Sequence, residues 1–283
     1  MQTTQCGTAR EDPERAFTVN GSLRPQIDIA PGERQFWRIV NASPDRYADL
    51  ETDSASFEVV ALDGMPLAYH DPSVRKRSMS HVLLPPAGRV EGIVTGPPAD
   101  SQAALRSLCF DTGPDGDSNP AMVLADVVSA PPSNVQAKPA LGGKPVQATF
   151  PTTLLRRIET GEPQFVVNFT EDKQGFYIND QKFEMNSGPM LTVDVGSLQH
   201  WRVTNATREV HPFHIHQVHF LTYAVDGKPI QDPVWLDTVN VPYGSSVDLV
   251  MDFTDPIIRG MSLFHCHLLN HEDKGMMAKV LFR

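Results

Sequence analysis

Near its C-terminus the chain reads Phe264-His265-Cys266-His267-Leu268-Leu269-Asn270-His271-Glu272-Asp273-Lys274-Gly275-Met276. A cysteine stands between two imidazoles. A third imidazole follows five residues after it, and a thioether five after that. Cys, His and Met are soft donors that suit copper, and two His, one Cys and a weak axial Met make an electron-transfer copper site. Cys266, His271 and Met276 supply three of those four donors from one short loop, so the fourth has to come from elsewhere.

It is on offer upstream, in His211-Pro212-Phe213-His214-Ile215-His216. In a strand, alternate residues share a face, so His214 and His216 point one way and Ile215 the other. The same alternation over His265-Cys266-His267 puts the sulfur on one face and both imidazoles on the other. Two metal stations back to back follow. The outer one takes Cys266, His271, Met276 and His211. The inner one collects His214, His216, His265 and His267. Only a short length of backbone joins the sulfur to the inner imidazoles, which suits electron transfer between the two.

These two segments resemble the last domain of the multicopper oxidases, the laccase-like family, in which H-P-x-H-x-H precedes H-C-H-x3-H-x4-M. By that resemblance His211, Cys266, His271 and Met276 match the type 1 copper ligands and the catalytic entry point for electrons. His214 matches a type 2 ligand, and His216, His265 and His267 match ligands of the paired type 3 coppers. The resemblance implies copper as cofactor, a small-molecule or metal-ion electron donor, and dioxygen as the acceptor, reduced to water. It also implies an exported or periplasmic protein.

Composition narrows the remaining options. The chain has 283 residues, enough for about two domains, and is 40% hydrophobic. It contains no apolar run near the length of a membrane span, so no membrane partner is expected. The net charge of -10 argues against nucleic acid as a partner, because phosphate binding needs a basic face. The 24 Pro and 19 Gly suit short strands joined by turns. Met1-Gln2-Thr3-Thr4-Gln5-Cys6 has no cationic region and no apolar core, so this chain shows no signal peptide and leaves the compartment open.

The elements that must position the ligands come as an internal repeat. Phe17-Thr18-Val19-Asn20 returns as Phe176-Tyr177-Ile178-Asn179. Trp37-Arg38-Ile39-Val40-Asn41-Ala42 returns as Trp201-Arg202-Val203-Thr204-Asn205-Ala206. Asp63-Gly64 returns as Asp226-Gly227. Strands are expected over 26–29, 35–40, 57–62 and 89–94 in the first copy and 200–203, 220–225 and 246–251 in the second, from alternation and β-branched content. The fold expected is all-β, and the resemblance makes it two cupredoxin-like Greek-key β-barrel or sandwich domains in tandem. Residues 1–130 would form a domain without copper ligands, 131–160 a Pro/Ala/Gly-rich linker, and 161–283 the domain that carries them. Residues 152–159 read as a short helix within the linker region.

The first copy has no His beside Cys109, so that cysteine reads as a core or disulfide residue, with Cys6 as a candidate mate. His70, His81, His200 and His219 fall outside ligand spacing and read as structural or surface residues, His219 retaining a supporting role as an alternative. Asp237 reads either as a group that orients a ligand or relays protons, or as a strand-end cap. Two further His-x-His segments, which the family's first domain supplies, have no counterpart here. The resemblance thus covers the family's second and third domains. A separately encoded first domain, a mis-assigned start and a fragment are the readings this leaves, and either a homo-oligomer or a first-domain partner is expected. The runner-up to an oxidase is a blue-copper electron carrier that uses the outer site alone. A copper nitrite reductase fits less well, because its outer-copper Cys lies in the first repeat, where this chain has none.

Overall fold

The computed structural model describes residues 16–53, 57–131 and 162–283. Cys6, the helix expected over 152–159 and all of the expected linker except residue 131 lie outside the described residues.

Four sheets carry the described chain, two from residues 26–129 and two from residues 165–282. The first runs β1 (Gln26–Ile29), β10 (Met122–Ser129), β9 (Gln102–Leu108), β3 (Ala48–Thr52), β7 (His81–Leu84). It packs on β2 (Arg34–Val40), β8 (Arg89–Thr95), β4 (Phe57–Leu62), β5 (Met65–Pro66), with β6 (Arg77–Met79) paired to β4. In the second half, the order β13 (Leu191–Val193), β21 (Met277–Phe282), β20 (Gly260–Cys266), β15 (His211–Ile215), β18 (Thr238–Val241) reproduces the first sheet strand for strand. β14 (Ser197–Asn205), β19 (Ser246–Phe253), β16 (Phe220–Val225) and β17 (Lys228–Leu236) reproduce the second, with β11 (Phe165–Asp172) and β12 (Gly175–Ile178) added at its edge. Even the parallel pairing recurs, β1 on β10 in one copy and β13 on β21 in the other. The repeat in the sequence is therefore a repeat in space.

Burial explains why these segments are strands. β8 alternates half-buried and buried residues along its length, as a strand with one face on a core must. β19 is buried almost throughout, because both of its faces are covered. On its inner side lies a core built on Trp201, Phe169, Phe213, Phe220, Phe253 and Phe264. On its outer side Leu221, Trp235 and Val250 meet Met65 and Tyr69 of the first half. Tyr69 stands edge-on to Trp235, ring centroids 5.6 Å apart. The two halves thus share an apolar seam, and the fold is all-β as expected, with one short α-helix among the described residues, α1 (Leu269–Asp273).

Candidate metal centre

The outer station forms where β15, β20 and α1 converge. Cys266 closes β20 and pairs in register with Phe213 of β15, while His211 opens β15 on the same side of the strand. His271, expected in a loop, sits on α1 instead. Leu268 is extended at the helix N-terminus and the amide of His271 bonds back to its carbonyl at 3.0 Å, so the chain winds one turn and swings the imidazole inward. Gly275 then reverses the chain at φ 119°, a conformation open to glycine, and an added Cβ would lie 2.3 Å from the Lys182 side chain. The outcome is a triangle of donors. His211 Nδ1 lies 3.4 Å from Cys266 Sγ and 3.1 Å from His271 Nδ1, and His271 Nδ1 lies 3.8 Å from the sulfur. Met276 follows Gly275 and is fully buried beside them, its carbonyl accepting the Cys266 amide at 3.1 Å.

Both imidazoles present Nδ1 to this point because Nε2 is engaged elsewhere. Thr207 Oγ1 lies 2.9 Å from His211 Nε2, and Glu209 Oε1 lies 3.3 Å from His271 Nε2. Such outer partners set the ring orientation of a ligand histidine. Phe176 stacks on the His271 ring, centroids 3.9 Å apart and 17° between planes. Burial pushes the Cys266 thiol far up and His211 far down, and takes His271 down to about 4. A buried neutral thiol between two neutral imidazoles is the metal-free state; a soft cation reverses the preference of the sulfur by binding the thiolate.

The inner station lies on the other face of the same two strands. His214 pairs in register with His265. The rings of His214, His216, His265 and His267 pack with centroids 5.1 to 5.3 Å apart. Here the ring atoms are reversed. His214 Nδ1 meets the Asp237 carbonyl at 2.8 Å, and His265 Nδ1 meets the Cys266 carbonyl at 2.9 Å and the Glu272 carboxylate at 3.3 Å. His216 Nε2 and His265 Nε2 face each other at 3.2 Å. Burial is the main force holding His265 down to about 3, and it lowers His216 and His267 as well.

Seven of the eight sequence-assigned residues thus bring their side chains into two adjacent clusters, and Met276 is buried next to the outer one, its carbonyl bonded to the Cys266 amide. The remaining histidines behave differently. His200 is buried, with its Nε2 2.9 Å from Asp248 and 2.8 Å from the Tyr223 hydroxyl. His81 pairs with Asp49 at 2.7 Å. His219 stands 3.8 Å from Asp237, close enough to belong to the surroundings of His214. Cys109 is disulfide-bonded and Cys266 is free. Sequence reasoning missed Glu272, Glu209, Thr207 and the first-half residues Tyr47 and Arg89. Glu272 was within reach, standing directly after His271. Tyr47 and Arg89 carried no signal, because they act across long sequence separations.

A cavity of about 160 Å³ opens against His271, lined by Tyr47, Asp45, Asp115, Asp117 and Glu209 among others. Glu209 is pushed up to about 8 by burial and by the carboxylates of Glu171 and Asp117. A larger cavity of about 740 Å³ lies in the first half against Trp37 and Leu50 and is lined by none of the candidate ligands.

Residues 157–283 match the family model described as Multicopper oxidase. A laccase of Bacillus subtilis (strain 168) is 27% identical over 92% of this chain and 52% of its own length. Multicopper oxidase mco of Staphylococcus aureus is 24% identical over 96% of this chain and 54% of its own length. The chain spans about half the length of the curated relatives it matches. The crystal structure of a variant of the McoA multicopper oxidase from Aquifex aeolicus superposes with a TM-score of 0.77 at 20% identity, covering 95% of this chain and 60% of that one, and has the same fold. The family implies copper, and the residues fit it: a buried thiol and two imidazoles whose Nδ1 atoms converge with the sulfur are the donor set copper prefers. In its paired cupredoxin-like halves, its soft donors and its relatives, the chain is similar to the multicopper oxidases, and residues 157–283 carry that family's domain.

Proposed function

We propose that this chain is the copper-holding part of an oxidase that withdraws electrons one at a time from a donor at the outer station and, with protons, uses them at the inner one to reduce dioxygen to water. The observation that carries the reading is the convergence of His211 Nδ1, Cys266 Sγ and His271 Nδ1, one residue in sequence from the imidazoles of His265 and His267. Copper, when bound, supplies a one-electron couple at the outer station and a site of oxygen reduction at the inner one. His211, Cys266 and His271 would hold the outer ion, with the buried Met276 as a further soft donor. His214, His216, His265 and His267 hold the inner ions. Cys266 is joined by single peptide units to His265 and His267, so a short covalent path links the stations.

The cavity against His271 supports a positively charged donor. Its walls carry the carboxylates of Asp45, Asp115 and Asp117, and the chain's charge of -10 adds a field of the same sign. A metal ion or an amine-bearing organic donor fits that chemistry better than an anion. The disulfide at Cys109 supports an oxidising compartment, outside the cytoplasm. The inner station gathers four imidazoles from this chain, so completing it calls for further ligands from a separately encoded first domain or another segment.

Copper content and the absorption spectrum of the reconstituted protein test the reading. The expected result is an intense visible copper–thiolate band, absent in Cys266→Ser, with oxygen uptake from a reduced donor once the inner station is complete. Copper binding without that band sinks the outer site. A band without oxygen uptake, even with the completing partner present, favours the electron-carrier reading.

A further inference from the structure

The two copies of the fold make the same turn for different ends. Asp63-Gly64 and Asp226-Gly227 are equivalent, with the Asp residues at φ 48° and 49°. In each, the Asp Oδ1 accepts an amide of the facing strand, Asp63 from Arg89 at 2.9 Å and Asp226 from Ser246 at 2.8 Å. That bond is the local duty of the turn, and one carboxylate oxygen discharges it. Asp63 then does more. It is only 4% exposed, and its Oδ2 accepts from the amides of Asp237 and Thr238 in the other half, both at 3.3 Å.

Arg89 stands where the second copy has Ser246, and it reaches the same loop. Its guanidinium forks onto both oxygens of Asp237, at 3.1 and 2.5 Å, and donates to the Asp63 carbonyl at 2.8 Å. A two-pronged pair of this kind fixes direction as well as distance. Asp63 therefore grips the backbone at 237–238 while Arg89 grips the Asp237 side chain. Arg89 is half-buried and Asp237 more so, which limits the screening that weakens surface pairs.

What the loop presents is the Asp237 carbonyl, 2.8 Å from His214 Nδ1, with Thr238 Oγ1 at 3.0 Å from the same atom. A carbonyl only accepts, so His214 carries its proton on Nδ1 and leaves the Nε2 lone pair for a metal. Within the second half, the Ile215 amide donates to the Asp237 carbonyl at 3.4 Å and the Thr238 hydroxyl to its carboxylate at 2.9 Å; Asp63 and Arg89 add the charged grip from the first half.

We propose that Asp63 and Arg89 are positioning residues for the inner station: the half of the chain without metal ligands fixes the tautomer and orientation of His214 in the half that has them. This rests on reading His214, His216, His265 and His267 as a metal station. It explains why the Asp-Gly turn of the first copy is buried and paired with an arginine while its twin, doing the same local work, is not.

The test uses the full chain, first without metal. Long-range ¹H–¹⁵N correlation spectra of histidine-labelled protein report the tautomer of each imidazole. His214 is expected with Nδ1 protonated and Nε2 bare. Arg89→Gln and Asp63→Asn are expected to mix its tautomers, Arg89→Lys to do so less, and Asp226→Asn, which damages the twin turn, to leave His214 unchanged. Should Arg89→Gln fail to fold, Arg89→Lys and Asp63→Asn carry the comparison. An unchanged His214 in the Arg89 and Asp63 variants, or an equal change in Asp226→Asn, overturns the proposal. The second readout is copper(II) affinity in a Cys266→Ser, His271→Ala background, where the outer station has lost its sulfur and one of its two imidazoles and the inner four remain. Loss of about 10- to 100-fold on removing Asp63 or Arg89 supports it. Affinity insensitive to both overturns it, whereas no copper binding despite the expected tautomer sinks the inner-station reading and leaves the positioning of His214 standing.

Discussion

The Tyr47 hydroxyl of the first half donates to the Val210 carbonyl of the second at 3.0 Å, one residue before the candidate ligand His211. Tyr47 is 2% exposed and packs on Phe110, ring centroids 4.9 Å apart. Three residues away in the same segment, Pro44 accepts the Leu269 amide at 3.0 Å and Asp45 accepts the Asn270 amide at 3.1 Å. One segment of the ligand-free half therefore touches the neighbours of both outer imidazoles. Tyr47→Phe keeps the ring and strands the Val210 carbonyl. It is expected to cost about 1 kcal/mol of stability and to shift the visible band of the copper-loaded protein. Thermal unfolding and absorption spectra check both; unchanged values would falsify the link.

Asp45 caps α1 where the helix has no cap of its own, since Leu268 at its N-terminus offers no side-chain acceptor. Asp45→Ala is expected to loosen the first turn by up to about 1 kcal/mol, less the share that solvent recovers at this exposed bond. Amide hydrogen exchange at Asn270 in the metal-free protein should quicken accordingly. Asp45→Asn, which keeps an acceptor, should restore slow exchange.

Cys266→Ser is expected to remove the visible band and one copper per chain while the fold persists. Serine fits the space of a side chain that is fully buried, although its hydroxyl meets a less favourable environment. Copper analysis of the variant against the parent checks this, with retention of the inner imidazoles read from the residual metal.

Metal-free stability should fall in acid. His271 and His265 are held down to about 4 and about 3 by burial, from the ordinary 6.5 of an exposed imidazole. The folded state thus binds fewer protons than the unfolded one between those values and 6.5, so stability is full above about pH 6.5 and is lost as pH falls towards 4. For His271 alone the loss approaches about 3 kcal/mol. Melting temperature against pH would follow this slope, and copper should steepen it, because the ligands bind the ion only when deprotonated. Glu209, raised to about 8, works in the opposite sense over the same window, so the slope is read in Glu209→Gln, where a flat profile from pH 7 to 4 contradicts neutral burial of these rings.

Much of this architecture was legible beforehand. Strands expected at 26–29, 57–62 and 220–225 appear with those bounds, and the Asp63-Gly64 and Asp226-Gly227 turns end the last two. The opposition of Cys266 to His265 and His267 followed from strand alternation alone, as did that of Ile215 to His214 and His216. Local rules sufficed there because each depends on residues near in sequence. The helix that carries His271 was not foreseen: five residues of Leu-Asn-His-Glu-Asp have no periodicity to detect, and the acceptors at its start come from Pro44 and Asp45.

The sequence by itself determined the donors, their spacing, the duplication that carries them and the faces on which they stand, because residue type and a period of two are local properties of the chain. Tertiary structure alone decided which ring nitrogen each imidazole presents. Thr207 and Glu209 turn the outer pair to Nδ1, and the Asp237 and Cys266 carbonyls hold Nδ1 of His214 and His265. Structure also decided that the half without ligands would position the other. Tyr47, Asp63 and Arg89 meet their partners across more than a hundred residues, and a contact of that separation exists only once two folded surfaces have closed on each other.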